Sequence, residues 1–100
     1  MITKDEVLAI IYAAMESLNE EFDEAGKIAL EPDTKLFGAD AMIDSLSLVS
    51  VIIDVESGAS DRLSFPVVLT DDRAINEAVS PFTDPDALAN YILMLAHENA

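Results

Sequence analysis

Ser45 is the residue best placed to carry chemistry in this chain, because it follows Asp44 and opens an apolar run from Leu46 to Val55. A serine at a helix start presents a primary hydroxyl beside free backbone N–H groups, which tolerate the negative charge of a phosphodiester. The position therefore suits covalent attachment of a phosphate-linked group. Either Asp44 or Ser45 could also act as a simple N-cap of the helix, and the two roles are compatible.

Other kinds of site have little support in the sequence. The chain has no cysteine, which excludes zinc–thiolate centres and thiol catalysis by the protein itself. Its single histidine, His97, has no second histidine to complete a metal site and is better explained as a favourable charge at a helix end. Asp71 and Asp72 lack the spacing and glycine of a calcium loop. We expect no catalytic residue and no metal ligand, since no nucleophile–base–acid set can be assembled around one histidine.

Composition predicts one small, acidic domain. The 100 residues are 51% hydrophobic, and 20 acidic residues against five basic ones give a net charge of −15. This length suits a single domain over residues 1–100. The charge disfavours nucleic acid and anionic membranes and favours partners with basic surfaces. The N-terminus does not resemble a signal peptide, and no apolar run reaches membrane-spanning length. We expect a soluble, cytoplasmic monomer without membrane insertion.

Helical periodicity predicts four helices and no paired strands. The first begins at a capping box formed by Thr3 and Glu6, and its core face holds Val7, Ile10, Ile11, Ala14 and Leu18. The second runs from Ser45 to Ser57 and ends before Gly58.

The third and fourth helices lie near the C-terminus. A short third helix is predicted from Thr70 to Val79, and the fourth starts at Thr83-Asp84-Pro85-Asp86, because proline is tolerated in a first helical turn. The buried stripe of the fourth helix is Leu88, Tyr91, Ile92 and Leu95.

Two irregular connections separate these helices. Residues 24–43 form a long loop that we expect Leu30, Leu36, Phe37 and Met42 to anchor. Residues 58–69 form a second irregular stretch. Long loops without secondary structure are uncommon in small domains, and many of them are functional.

The second helix has apolar residues over too much of its circumference for one small core. The expected core side holds Leu48, Val51, Ile52 and Val55, and a polar strip holds Ser47, Ser50, Asp54 and Ser57. Leu46, Val49 and Ile53 lie on a flank shared with Glu56, whose charge indicates that this flank reaches solvent. An exposed apolar flank beside Ser45 is typical of a docking surface. The alternative is that neighbouring loops cover it.

The Asp44-Ser45-Leu46 sequence at the start of a second helix, after a long first loop holding Leu36-Phe37-Gly38, resembles the acyl carrier protein family over essentially the whole chain. The resemblance implies an all-α, four-helix bundle with a short third helix. It also implies that a phosphopantetheinyl transferase esterifies Ser45 with phosphopantetheine. The thiol of that arm carries acyl intermediates as thioesters in fatty-acid, lipid or secondary-metabolite biosynthesis, and the protein is not itself an enzyme.

The resemblance assigns the cofactor site to Ser45, with Asp44 and Leu46 beside it. It gives Asp44 a role in transferase recognition or metal-assisted activation. Its partners would be an acyl ligase, ketosynthase or acyltransferase with a basic docking surface. The expected partner-binding residues are Leu46, Ser47, Val49, Ser50, Ile53, Asp54 and Glu56.

One departure from the family pattern is visible in the second helix. The family usually bears several carboxylates soon after the modified serine, whereas here the acids begin at Asp54 and Glu56. The stretch from Gly58 to Thr70 is also longer than the usual connection in the family. Together these two departures favour a specialised carrier over a housekeeping one. The alternative function is an unmodified, acidic helical module that binds a basic or apolar partner surface.

Overall fold

The computed structural model describes residues 2–21, 28–36, 43–69 and 82–98. Within these ranges the chain is all-helical, with α1 (Lys4–Asn19), α2 (Ser45–Leu63) and α3 (Pro85–Glu98), and it contains no strand. α1 packs against both α2 and α3. The helix predicted from Thr70 to Val79 falls outside the described residues, so α3 corresponds to the fourth predicted helix.

α1 begins at the predicted capping box. The Glu6 N–H donates to Thr3 Oγ1 at 3.2 Å, and the Thr3 N–H donates to Glu6 Oε1 at 3.2 Å. This pairing satisfies two backbone donors that a helix start leaves free. On the core face, Val7, Ile11, Ala14 and Leu18 are buried as predicted, Ile10 is half-buried, and Met15 is a buried residue that the periodicity did not identify.

α2 is longer than predicted, and the expected end at Ser57 is wrong. The helix continues through Gly58 to Leu63 and is capped by Ser64 in the left-handed conformation, with φ 62°. A Cβ at position 58 would lie 2.9 Å from Cγ2 of Ile10 in α1. Glycine here allows a close approach of two helices, and their packing outweighs the cost of about 1 kcal/mol for glycine inside a helix.

The residues 28–36 are fastened to the ends of α1 and α3. The buried Asn19 side chain donates to the Ile28 carbonyl at 3.0 Å and accepts from the Ile28 N–H at 2.8 Å. The buried Leu36 donates its N–H to the Thr83 carbonyl at 2.8 Å. Leu30 is exposed, so its predicted anchoring role is wrong, and Ile28 provides the buried contact instead. Phe37 and Met42, the other predicted anchors, lie outside the described residues.

α3 begins at Pro85 as predicted. Asp84 precedes it, and Asp84 Oδ1 accepts from the Ala87 N–H at 2.8 Å. The buried stripe contains Leu88, Tyr91 and Ile92, and Leu95 is half-buried. An ion pair between Lys4 and Asp86 joins the starts of α1 and α3. The core therefore lies along α1, with one face of α2 and one of α3 packed against it.

Candidate functional site

Asp44 is the N-cap of α2, and Ser45 is the first helical residue. Asp44 Oδ1 accepts from the Ser47 N–H at 2.8 Å. This hydrogen bond, together with one from the Ser47 hydroxyl, lowers the pKa of Asp44 below its ordinary value, because both stabilise the carboxylate. The N-capping role considered for Asp44 is confirmed, and it places the Ser45 backbone in the first turn.

The start of α2 has backbone donors that the helix itself does not use. The first hydrogen bond along the helix runs from the Leu48 N–H to the Asp44 carbonyl at 3.0 Å. Helix geometry therefore leaves the N–H groups of Ser45 and Leu46 without intrahelical acceptors. The first turn contains no acidic side chain, and the Asp44 cap places one carboxylate at the positive end of the helix dipole.

Three apolar side chains follow Ser45 along the exposed side of α2. Leu46 is 77% exposed, Val49 47% and Ile53 54%, and we call these three residues the apolar strip. Their expected exposure is confirmed. Apolar side chains at this spacing lie on one side of a helix, so the apolar strip forms a continuous surface that starts next to Ser45.

The opposite side of α2 is core. Leu48, Val51, Ile52 and Val55 are all buried, as the sequence predicted. α2 therefore presents one apolar face to α1 and a second to solvent. The second face contributes less to stability than the first, because its side chains are only partly removed from water on folding.

The polar residues proposed for partner binding have different surroundings. Ser50 and Asp54 are exposed, and Ser47 is half-buried beside the Asp44 cap. Glu56 is half-buried, and its Oε2 accepts from the Leu69 N–H at 2.6 Å.

Glu56 therefore has a structural contact that the sequence did not predict. Its acceptor role is matched one turn later by Ser60, whose Oγ accepts from the Val67 N–H at 2.8 Å. The two side chains hold the segment 64–69 against α2. Because their partners are backbone groups in an irregular segment, neither residue has a local sequence signal for this role.

In the described part of the chain, no group of three or more histidine, cysteine or acidic side chains is arranged to hold a metal ion. None of the helices there has the length and apolarity needed to cross a membrane. His97 is exposed in the last turn of α3, the position at which a histidine charge favours a helix.

Comparison of the chain with family models, with curated proteins and with solved structures finds no match.

Proposed function

We propose that this chain is an acyl carrier protein that holds acyl intermediates as thioesters on a phosphopantetheine arm attached to Ser45. The observation that carries the proposal is the position of Ser45, which is the first residue of a helix capped by Asp44 and directly precedes the exposed apolar strip. In this proposal a short helix over residues 70–79 completes a four-helix bundle. The protein is not an enzyme and acts as a cytoplasmic monomer.

The start of α2 fits a phosphodiester on three grounds. Its first N–H groups lack intrahelical acceptors, its first turn has no acidic side chain, and the flanking residues Asp44 and Leu46 are both exposed. The Ser45 hydroxyl would be the attachment point. When bound, the arm supplies a terminal thiol for acyl transfer, a group that a chain with no cysteine lacks.

The surface beside Ser45 suits enzymes that must act on an arm attached there. A phosphopantetheinyl transferase would contact Leu46 and Asp44, because they flank the serine. An acyl ligase, ketosynthase or acyltransferase would bury the apolar strip, with its basic residues attracted by the net charge of −15. Ser50 and Asp54 are the exposed polar groups beside the strip that could accept hydrogen bonds from such a partner.

The test is the intact mass of the purified protein after incubation with coenzyme A, magnesium and a broad-specificity phosphopantetheinyl transferase. We expect one phosphopantetheine per chain, located at Ser45 by peptide mapping. Ser45→Ala should stay unmodified, and Ser47→Ala, two residues along the same helix, should be modified. An unchanged mass with several transferases would favour the alternative function, an unmodified acidic interaction module.

A further inference from the structure

An open groove of about 370 Å³ runs between α1 and α2. Its lining residue on α2 that lies nearest to Ser45 is Asp54, roughly 14 Å further along the helix axis at 1.5 Å per residue. The apolar strip does not line it. Its lining includes Ile10, Ala13 and Ser17 of α1 and Asp54, Ser57 and Gly58 of α2.

The floor of the groove is apolar, and one rim is charged. Ile10 is half-buried on the α1 side, where it meets Gly58, and the alanines beside it add methyl groups. Asp54 is exposed on the α2 side, with the exposed Ser57 one turn further on. The groove can therefore accept an aliphatic side chain on its floor and a cation at its rim.

The charge of the chain indicates where such a cation comes from. The three lysine and arginine residues that the structure describes are paired with other acids, Lys4 with Asp86, Lys35 with Asp84 and Arg62 with Glu6. None of these three neutralises Asp54. A partner could supply a cation at this rim, and the net charge of −15 favours the approach of a basic partner.

We propose that the groove between α1 and α2 is a docking site for a protein partner, which inserts an aliphatic side chain onto Ile10 and places a neighbouring lysine or arginine on Asp54. Charge complementarity favours a basic protein partner over a second copy of this chain as the occupant of the groove. A second copy of this chain also carries −15, so pairing two grooves would bring like charges together. Of the residues assigned to partner binding under the proposed function, the site includes only Asp54, and it does not depend on modification of Ser45.

The probe is a synthetic helical peptide with leucines on one face and lysines on the others. Its binding to the full chain is measured by calorimetry, and its location by amide chemical-shift changes. We expect the largest shifts at Ala13, Ser17 and Ser57. Two peptides are matched controls, one with serine in place of leucine and one with glutamate in place of lysine, and both should bind at least about tenfold more weakly.

Variants of the chain identify the groove as the site. Ala13→Leu fills the groove from an exposed position and should weaken binding by about tenfold or more. Ala9→Leu makes the same change at an exposed α1 residue outside the groove wall and should leave affinity within about twofold. Asp54→Asn should weaken binding and reduce its salt dependence. Ser57→Leu fills the groove from α2 and replaces Ala13→Leu if that variant is unstable.

Four results would overturn the proposal. They are equal binding of the serine and leucine peptides, unchanged affinity in both filled variants, shifts centred on the apolar strip, and a dimer that the filled variants abolish. Each is distinct from failure of the Ser45 mass test, because peptide binding is measured on the unmodified chain. A chain that takes up phosphopantetheine yet shows one of these results would keep its proposed function and lose this docking site.

Discussion

Ile52 and Ile53 allow the two apolar faces of α2 to be tested with the same chemical change at adjacent positions. Ile52 is 6% exposed and lies in the core, whereas Ile53 is 54% exposed in the apolar strip. Replacing either with alanine changes helix propensity by the same amount. Any difference in stability between Ile52→Ala and Ile53→Ala therefore reports burial.

The expected magnitudes differ clearly. Ile52→Ala removes a buried side chain and leaves a cavity, which typically costs about 2–5 kcal/mol. Ile53 gains only about half of the 1.5–3 kcal/mol that full burial of such a side chain provides. Alanine retains part of that gain and recovers a few tenths of a kcal/mol in helix propensity. We therefore expect Ile53→Ala to cost under about 1 kcal/mol.

Urea denaturation followed by helical circular dichroism measures both values, and an unchanged m-value shows that the unfolding transition is comparable. In a 100-residue domain, a loss of 2 kcal/mol also lowers Tm by about 8–16 °C. In parallel, Ile53→Ala should slow modification of Ser45 by the transferase or acylation of the arm. Equal destabilisation by the two variants, with unchanged partner kinetics for Ile53→Ala, would show that the apolar strip is part of the core and is not a docking surface.

Four other perturbations test separate features of the structure. Gly58→Ala should destabilise the wild-type chain, because the added Cβ meets Ile10. In an Ile10→Ala background the same change should stabilise the fold by about 1 kcal/mol, the gain in helix propensity. A double-mutant cycle on unfolding free energies should therefore show coupling of that order. Asn19→Ala should cost about 1–3 kcal/mol, because it leaves a buried backbone N–H and carbonyl unpaired, and amide exchange at Ile28 should accelerate. The pKa of Asp44 is lowered by folding, so the ionised carboxylate stabilises the folded state fully above the unfolded-state pKa of about 3.9. This stabilisation is lost as the pH falls through the lower folded pKa. Asp44→Asn, an equally good cap, should therefore flatten this part of the profile of Tm against pH. Added salt or divalent cations should raise Tm, because they screen repulsion within a chain of net charge −15; a Tm independent of ionic strength would show that the acids are well dispersed.

Features of the fold that depend only on nearby residues could be predicted from the sequence. The capping box at Thr3, the first-turn proline at position 85 and the two apolar faces of α2 are all found where periodicity and capping rules placed them. Each of these features depends on side chains within one or two helical turns, which the sequence shows directly.

Features that depend on distant partners were missed. Asn19 is buried because its amide matches both backbone groups of Ile28, and Glu56 is engaged by the N–H of Leu69. The expected anchor at Leu30 failed for the same reason, because a loop residue is buried only if some other element reaches it. Hydrophobicity alone does not show which of several apolar loop residues makes that contact.

The length of α2 is the most informative of these differences. Glycine is a local signal for a helix end, but at position 58 its missing Cβ admits Ile10, and tertiary packing decides the outcome. Continuing the helix buries Ala59 and brings Arg62 to Glu6 of α1. It also places Ser60 where it holds the segment that follows. The C-terminal part of α2 thus adds contacts to α1 beyond those of the buried face, and the apolar strip forms the solvent-facing side of the N-terminal part.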